Sequence, residues 1–128
     1  MPIALIEPFR GLRYDPARVD PDAVISPPYD VVTDDDVRTL LARSPHGVAH
    51  IEMRPPGAEP TDYAGAAATL RQWQDDGVMQ RDDQPVYYLY EQRYTSQGAV
   101  QSRRCFFARI ELRAPEEGIL RFHESTMT

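Results

Sequence analysis

The sequence predicts an α+β domain: two helices packed on a mainly antiparallel sheet with a long hairpin, entered through a proline-rich amino-terminal coil. Two segments repeat their apolar residues at helical spacing. The period then switches to two residues at Pro85, and prolines punctuate residues 1–32. A chain of 128 residues suits one domain, and we expect residues 1–128 to be the amino-terminal part of a longer protein.

Glu7-Pro8, Asp15-Pro16, Asp20-Pro21 and Pro27-Pro28 each disfavour helix in the residue before the proline, so this stretch is expected to be ordered coil with short extended pieces. Thr33 stands three residues before Asp36 as a capping pair, and Val37, Leu40 and Leu41 follow at helical spacing. These place a helix over Thr33 to Arg43, stopped by Pro45 and Gly47. Val48 to Met53 alternates enough to read as a strand. A second helix is expected from about Pro60-Thr61 to Asp76, with Tyr63, Ala66, Ala67, Leu70 and Trp73 on one apolar stripe and Gly77 at its end. Leu70 and Trp73 are expected to be buried.

Beyond Pro85, aromatic and β-branched residues run to Tyr94, and Thr95-Ser96-Gln97-Gly98 forms a turn. The returning segment alternates Phe106, Ala108, Ile110 and Leu112 against Phe107, Arg109, Glu111 and Arg113. Val86 to Tyr94 is therefore paired with Val100 to Leu112. Pro115 to Gly118 reads as a turn and Ile119 to Phe122 as a further strand.

Composition narrows the chemistry. A hydrophobic share of 41% with 27% charged residues is that of a folding chain. The net charge of −6 argues against nucleic acid as a partner, because phosphate neutralisation needs concentrated positive charge. Every basic residue other than histidine is arginine, which removes Schiff-base and phosphate-loop lysines from these residues. Asparagine is absent too, so no Cys-His-Asn set and no Asn-linked glycosylation site can form. No stretch approaches the ~20 apolar residues of a membrane helix, and Met1 to Arg10 has no secretory pattern. With a single cysteine, Cys105, the expected location is the cytoplasm, with no membrane partner. The residues specify no oligomeric state.

Two groups can carry chemistry. His123-Glu124-Ser125-Thr126 sets an imidazole, a carboxylate and two hydroxyls side by side, which suits deprotonating a substrate hydroxyl or holding a metal. It lacks the second histidine, four residues on, of a zinc-protease helix, because that position is Met127. On the residues alone, a polar run of this kind is more often solvated. Pro27-Pro28-Tyr29-Asp30-Val31 is a stiff turn presenting Tyr29 and Asp30, either to a ligand or merely to packing and capping. The Tyr87, Tyr88, Tyr90 and Tyr94 group is assigned to sheet-face and core packing, Cys105 to a packed strand position, and His46 and His50 to structural or exposed places. Asp34 to Asp36 serve the positive end of a helix dipole.

Five strings in one order resemble domain-of-unknown-function family 1015: Pro8-Phe9-Arg10-Gly11-Leu12-Arg13-Tyr14, Pro27-Pro28-Tyr29-Asp30-Val31, the Trp73 helix, Tyr88-Leu89-Tyr90-Glu91-Gln92 and His123-Glu124-Ser125-Thr126. The resemblance covers nearly the whole chain. It implies a longer protein whose later Asp-Gly-His-His-Arg loop is similar to that of the ParB and sulfiredoxin superfamily, which includes kinases of free serine. No such loop occurs in these 128 residues. By that resemblance the parent is a nucleotide-dependent kinase of a small hydroxylated metabolite such as free serine, using ATP or ADP with Mg. Glu124 becomes its base, and His123, Thr126, Arg13, Tyr29 and Asp30 become substrate-binding residues. These residues alone are then expected to be inactive or very slow. The alternative is a non-catalytic module that binds a small-molecule ligand or regulates a partner.

Overall fold

The structure is a computed structural model that describes residues 5–58 and 63–120. The class is α+β, as expected, and its strands form three separate two-stranded antiparallel pairs. The chain gathers into two compact units, one from residues 1–11 and 83–128 and the other from Leu12–Asp82.

In the second unit, β2 (Leu12–Tyr14) pairs with β3 (Met79–Arg81), with Tyr14 opposite Met79. Helix α1 (Pro21–Val24) starts on an Asp20 cap and has a proline in its first turn, where a missing N–H costs nothing. Helix α2 (Asp34–Arg43) is where Thr33 and Asp36 place it. The Thr33 hydroxyl accepts from the Asp36 amide at 3.2 Å, and the Asp36 carboxylate accepts from the Thr33 amide at 2.9 Å, closing a capping box. The Thr33 hydroxyl also donates to the Asp36 carboxylate at 2.7 Å, and this bond, followed by that of the Thr33 amide, holds the Asp36 carboxyl below its ordinary pKa.

Val48 to Met53 departs from the expected strand. Helix α3 (Ala49–Glu52) occupies this stretch instead. Ala49 and Met53 enter one core cluster with Val37 and Leu40, whereas Ile51 packs on another formed by Val19, Val24, Trp73 and Val78. A strand would turn all three onto one face, so only a helical turn serves both clusters. Helix α4 (Tyr63–Asp75) packs against α3 and β3 and delivers Trp73, which is 4% exposed. Its expected start at Pro60-Thr61 lies outside the described residues. Leu70 is half-buried rather than buried, and Tyr63 stands exposed at the open end of the stripe. Gly77 follows with φ 72°, a left-handed conformation that ends the helix at little cost to glycine.

In the first unit, β4 (Tyr88–Ser96) and β5 (Ala99–Phe107) form the expected hairpin, with nine residues paired on each side. Gln97 and Gly98 both have positive φ, as the tight primed hairpin turns require. The ladder stops at Phe107. Beyond it, β6 (Arg109–Ile110) pairs with β1 (Ile6–Glu7), and Leu112 is outside any strand and 89% exposed. Thus the amino-terminal coil supplies strands to both units. Of the strand expected over Ile119 to Phe122, Ile119 and Leu120 form a bend and the other two residues lie outside the described ones; a 3-10 turn over Pro115–Glu117 that hydrogen-bonds back to Ala114 precedes it. Of the tyrosine group, Tyr88 is half-buried against Phe9, and Tyr87 and Tyr90 pack edge-on against Phe106 and Phe107 on the ribbon's faces, but Tyr87, Tyr90 and Tyr94 stay exposed and Cys105 is exposed as well.

Trp73 is the largest side chain in its cluster, touched by the Tyr14 ring at 5.9 Å and edge-on by His46 at 6.0 Å. Trp73→Ala is expected to lower the unfolding free energy by about 3–5 kcal/mol, read from the denaturant midpoint, because the cavity does not collapse fully. An unchanged midpoint would remove Trp73 from the core.

Candidate functional site

The described residues that converge most closely lie around α3. Tyr14, on β2, donates its hydroxyl to the His46 carbonyl at 2.7 Å. His50 makes a ring-nitrogen contact of 3.0 Å with the Ser44 carbonyl, so both histidines of this turn have structural partners. Burial pushes the Tyr14 hydroxyl pKa up to about 12, and the Glu52 carboxylate at the end of α3 adds to the shift.

Glu52 also faces a cleft of about 550 Å³ between α3, the segment after it and the first turns of α4. Ile51, Met53 and Ala66 supply apolar lining, while His50, Glu52, Arg54, Thr69 and the Tyr63 ring supply polar groups and one aromatic face. Arg54 lies over Tyr63 at 5.8 Å from the ring centre, which presents cation and ring together. Volume and lining are those of a small-molecule site. The misread α3 concealed this cleft from sequence, although the His50, Glu52 and Arg54 alternation lay in view. No cluster of three or more metal-ligating side chains occurs among the described residues.

Of the expected site residues, the described ones are Arg13, Tyr29 and Asp30. Arg13 grips Asp82 with two donors, Nε at 3.1 Å from each carboxylate oxygen and a terminal nitrogen at 2.6 Å. That fork ties β2 to the end of β3, a role no local pattern reveals across 69 residues of separation. Tyr29 is 64% exposed and Asp30 is exposed, both on the turn before α2. The Val31 amide donates to the Pro28 carbonyl at 3.2 Å, closing that turn. His123, Glu124 and Thr126 lie outside the described residues.

Fold and cleft together describe an α+β protein with an open cleft beside α3. The chain belongs to the family described as "Protein of unknown function (DUF1015)", whose family model matches residues 6–128. No curated protein and no solved structure matches it. Among the described residues, no helix is long and apolar enough to cross a membrane.

Tyr14 gives a pH test. Its folded-state pKa lies above the ordinary 10.0, so the neutral hydroxyl stabilises the fold fully below pH 10, and that stability is lost as pH rises towards about 12. Denaturation midpoints should fall over this window in the wild type and fall less in Tyr14→Phe. Equal losses in both would assign the alkaline transition to other groups.

Proposed function

We propose that this chain handles the substrate in a protein that transfers phosphate to a hydroxyl of a small metabolite, with Glu124 as general base. The observation that carries the reading is the His123-Glu124-Ser125-Thr126 string in a chain that belongs to the family over residues 6–128. A carboxylate beside the attacking hydroxyl takes its proton as the new phosphorus–oxygen bond forms and the bond to the nucleotide breaks, ATP leaving as ADP or ADP as AMP. His123 and Thr126 bind substrate next to it. Nucleotide, as ATP or ADP with Mg, supplies the phosphoryl group. Its phosphates require cationic partners, which here are arginines or residues of the Asp-Gly-His-His-Arg loop expected in the longer protein.

A second reading has its own support. The α3–α4 cleft is lined by apolar Ile51, Met53 and Ala66 together with charged Glu52 and Arg54, which suits a charged metabolite bound without chemistry. The two readings separate on mutants.

The test incubates full-length protein with Mg, ATP or ADP and a panel of hydroxylated metabolites including free serine, following phosphorylated product. Glu124→Gln is expected to lower turnover by ~10²- to 10⁴-fold while nucleotide affinity stays within a few-fold. Arg54→Ala, by contrast, abolishes ligand binding if the cleft is a binding module. Absence of product with every metabolite sinks the phosphotransfer reading. Full turnover by Glu124→Gln keeps the reaction and removes Glu124 as its base.

A further inference from the structure

Two exposed apolar surfaces of opposite charge remain outside the proposed site. The first is one face of the β4–β5 ribbon. Directly paired residues of an antiparallel ladder share a face, so Leu89 with Phe106, Glu91 with Arg104, Arg93 with Ser102 and Thr95 with Val100 stand together. Leu89 is 91% exposed, Val100 76% and Phe106 56%. Glu91 pairs with both Arg93 and Arg104 on this face, at 2.6 and 2.7 Å, leaving an excess of one positive charge. Over Tyr88–Phe107 as a whole, three arginines face one glutamate.

The second surface lies in the unit Leu12–Asp82, where seven arginines are outnumbered by thirteen acidic residues. Its loop before α2 exposes Ile25 at 59%, Tyr29 at 64% and Val31 at 67%, beside the exposed carboxylates Asp30 and Asp34. Pro27 and Pro28 stiffen this loop, and Arg43 holds the Ile25 carbonyl, so its apolar side chains are presented rather than folded away. Large apolar groups on a rigid exposed surface mark interaction sites.

We propose that the protein self-associates, with the Leu89–Phe106 face of one copy's ribbon docking on the Ile25–Asp34 loop of a second copy. Apolar groups meet apolar groups, and the basic ribbon meets an acidic loop. Size favours a reciprocal pair of contacts. Nine residues at ~3.3 Å, two strands wide, give a face of ~300 Å². One contact covers two such areas, and two contacts related by a two-fold axis cover ~1,200 Å², the lower end for specific interfaces. A single contact would be too small.

Light scattering coupled to gel filtration tests this on the full-length protein. A dimer is expected at micromolar concentration, weakening at about 1 M NaCl as screening shortens the range of the charges. Arg93→Glu reverses the ribbon face, and Asp30→Arg with Asp34→Arg reverses the loop, leaving the Asp36 cap intact. Each variant alone should dissociate at least tenfold more readily, and mixing the two should restore the dimer. Leu89→Ser, at a position whose exposure makes it dispensable for folding, should also weaken it. Circular dichroism confirms that each variant is folded. A wild-type monomer overturns the proposal, including one that instead binds an acidic polypeptide such as poly-glutamate. So does a dimer indifferent to all these substitutions, or a mixture that fails to reassociate.

Discussion

The strand pairs β1–β6 and β2–β3 both depend on one extended segment, residues 5–15, whose backbone hydrogen bonds reach partners far along the sequence. The Leu5 carbonyl accepts from Glu111, Phe9 and Val86 exchange both of their bonds at 3.1 Å, and Asp15 donates to Val78 at 2.9 Å. Between them β1 and β2 complete one strand pair in each unit. Pro8 and Pro16 disfavour helix at Glu7 and Asp15, and extended backbone inside a protein finds ladder partners or leaves its polar groups unpaired. Closing loops of this length costs entropy before any contact is gained. Side chains reinforce the backbone: the Phe9 and Tyr88 rings lie 5.1 Å apart, and the Gly11 amide donates to the Tyr88 hydroxyl at 2.6 Å. A methyl group on Gly11 would sit 2.6 Å from that oxygen, so glycine is required by close approach.

The helical unit takes β2 from this segment. β2 carries Tyr14 to Trp73 and Arg13 to Asp82, which fixes β3 and the end of α4 against the same core. Helix α3 is then shared by two hydrophobic clusters on its sides and by the cleft at its end. Glu52 acts on both, facing the cleft while its charge opposes ionisation of Tyr14.

What was legible in the sequence was local. The Thr33–Asp36 cap, the Trp73 stripe and the turn at Gln97-Gly98 each announce themselves within a few residues, and each stands close to its expected place. Three failures share a cause. Val48 to Met53 alternates like a strand, yet two cores on opposite sides of α3 select a helix. The returning strand alternates evenly through Leu112, but after Phe107 it changes partner from β4 to β1. Tyr90, Tyr94 and Cys105 look like core residues by type, whereas the β4–β5 ribbon pairs with no third strand and, among the described residues, leaves these three exposed. Of the site, the Arg13 fork and the α3–α4 cleft depend on tertiary pairing and left no local trace. The His123 to Thr126 string is visible in sequence but lies outside the described residues.

Native-state hydrogen exchange on the amides of Phe9, Val86, Asp15 and Glu111 tests the organising role of residues 5–15 most directly. All four donate backbone bonds across that segment. If it organises both units, these amides exchange as slowly as the Leu40 amide within α2, through global rather than local opening. Exchange at the rate of an unstructured peptide, with α2 still protected, would contradict the account.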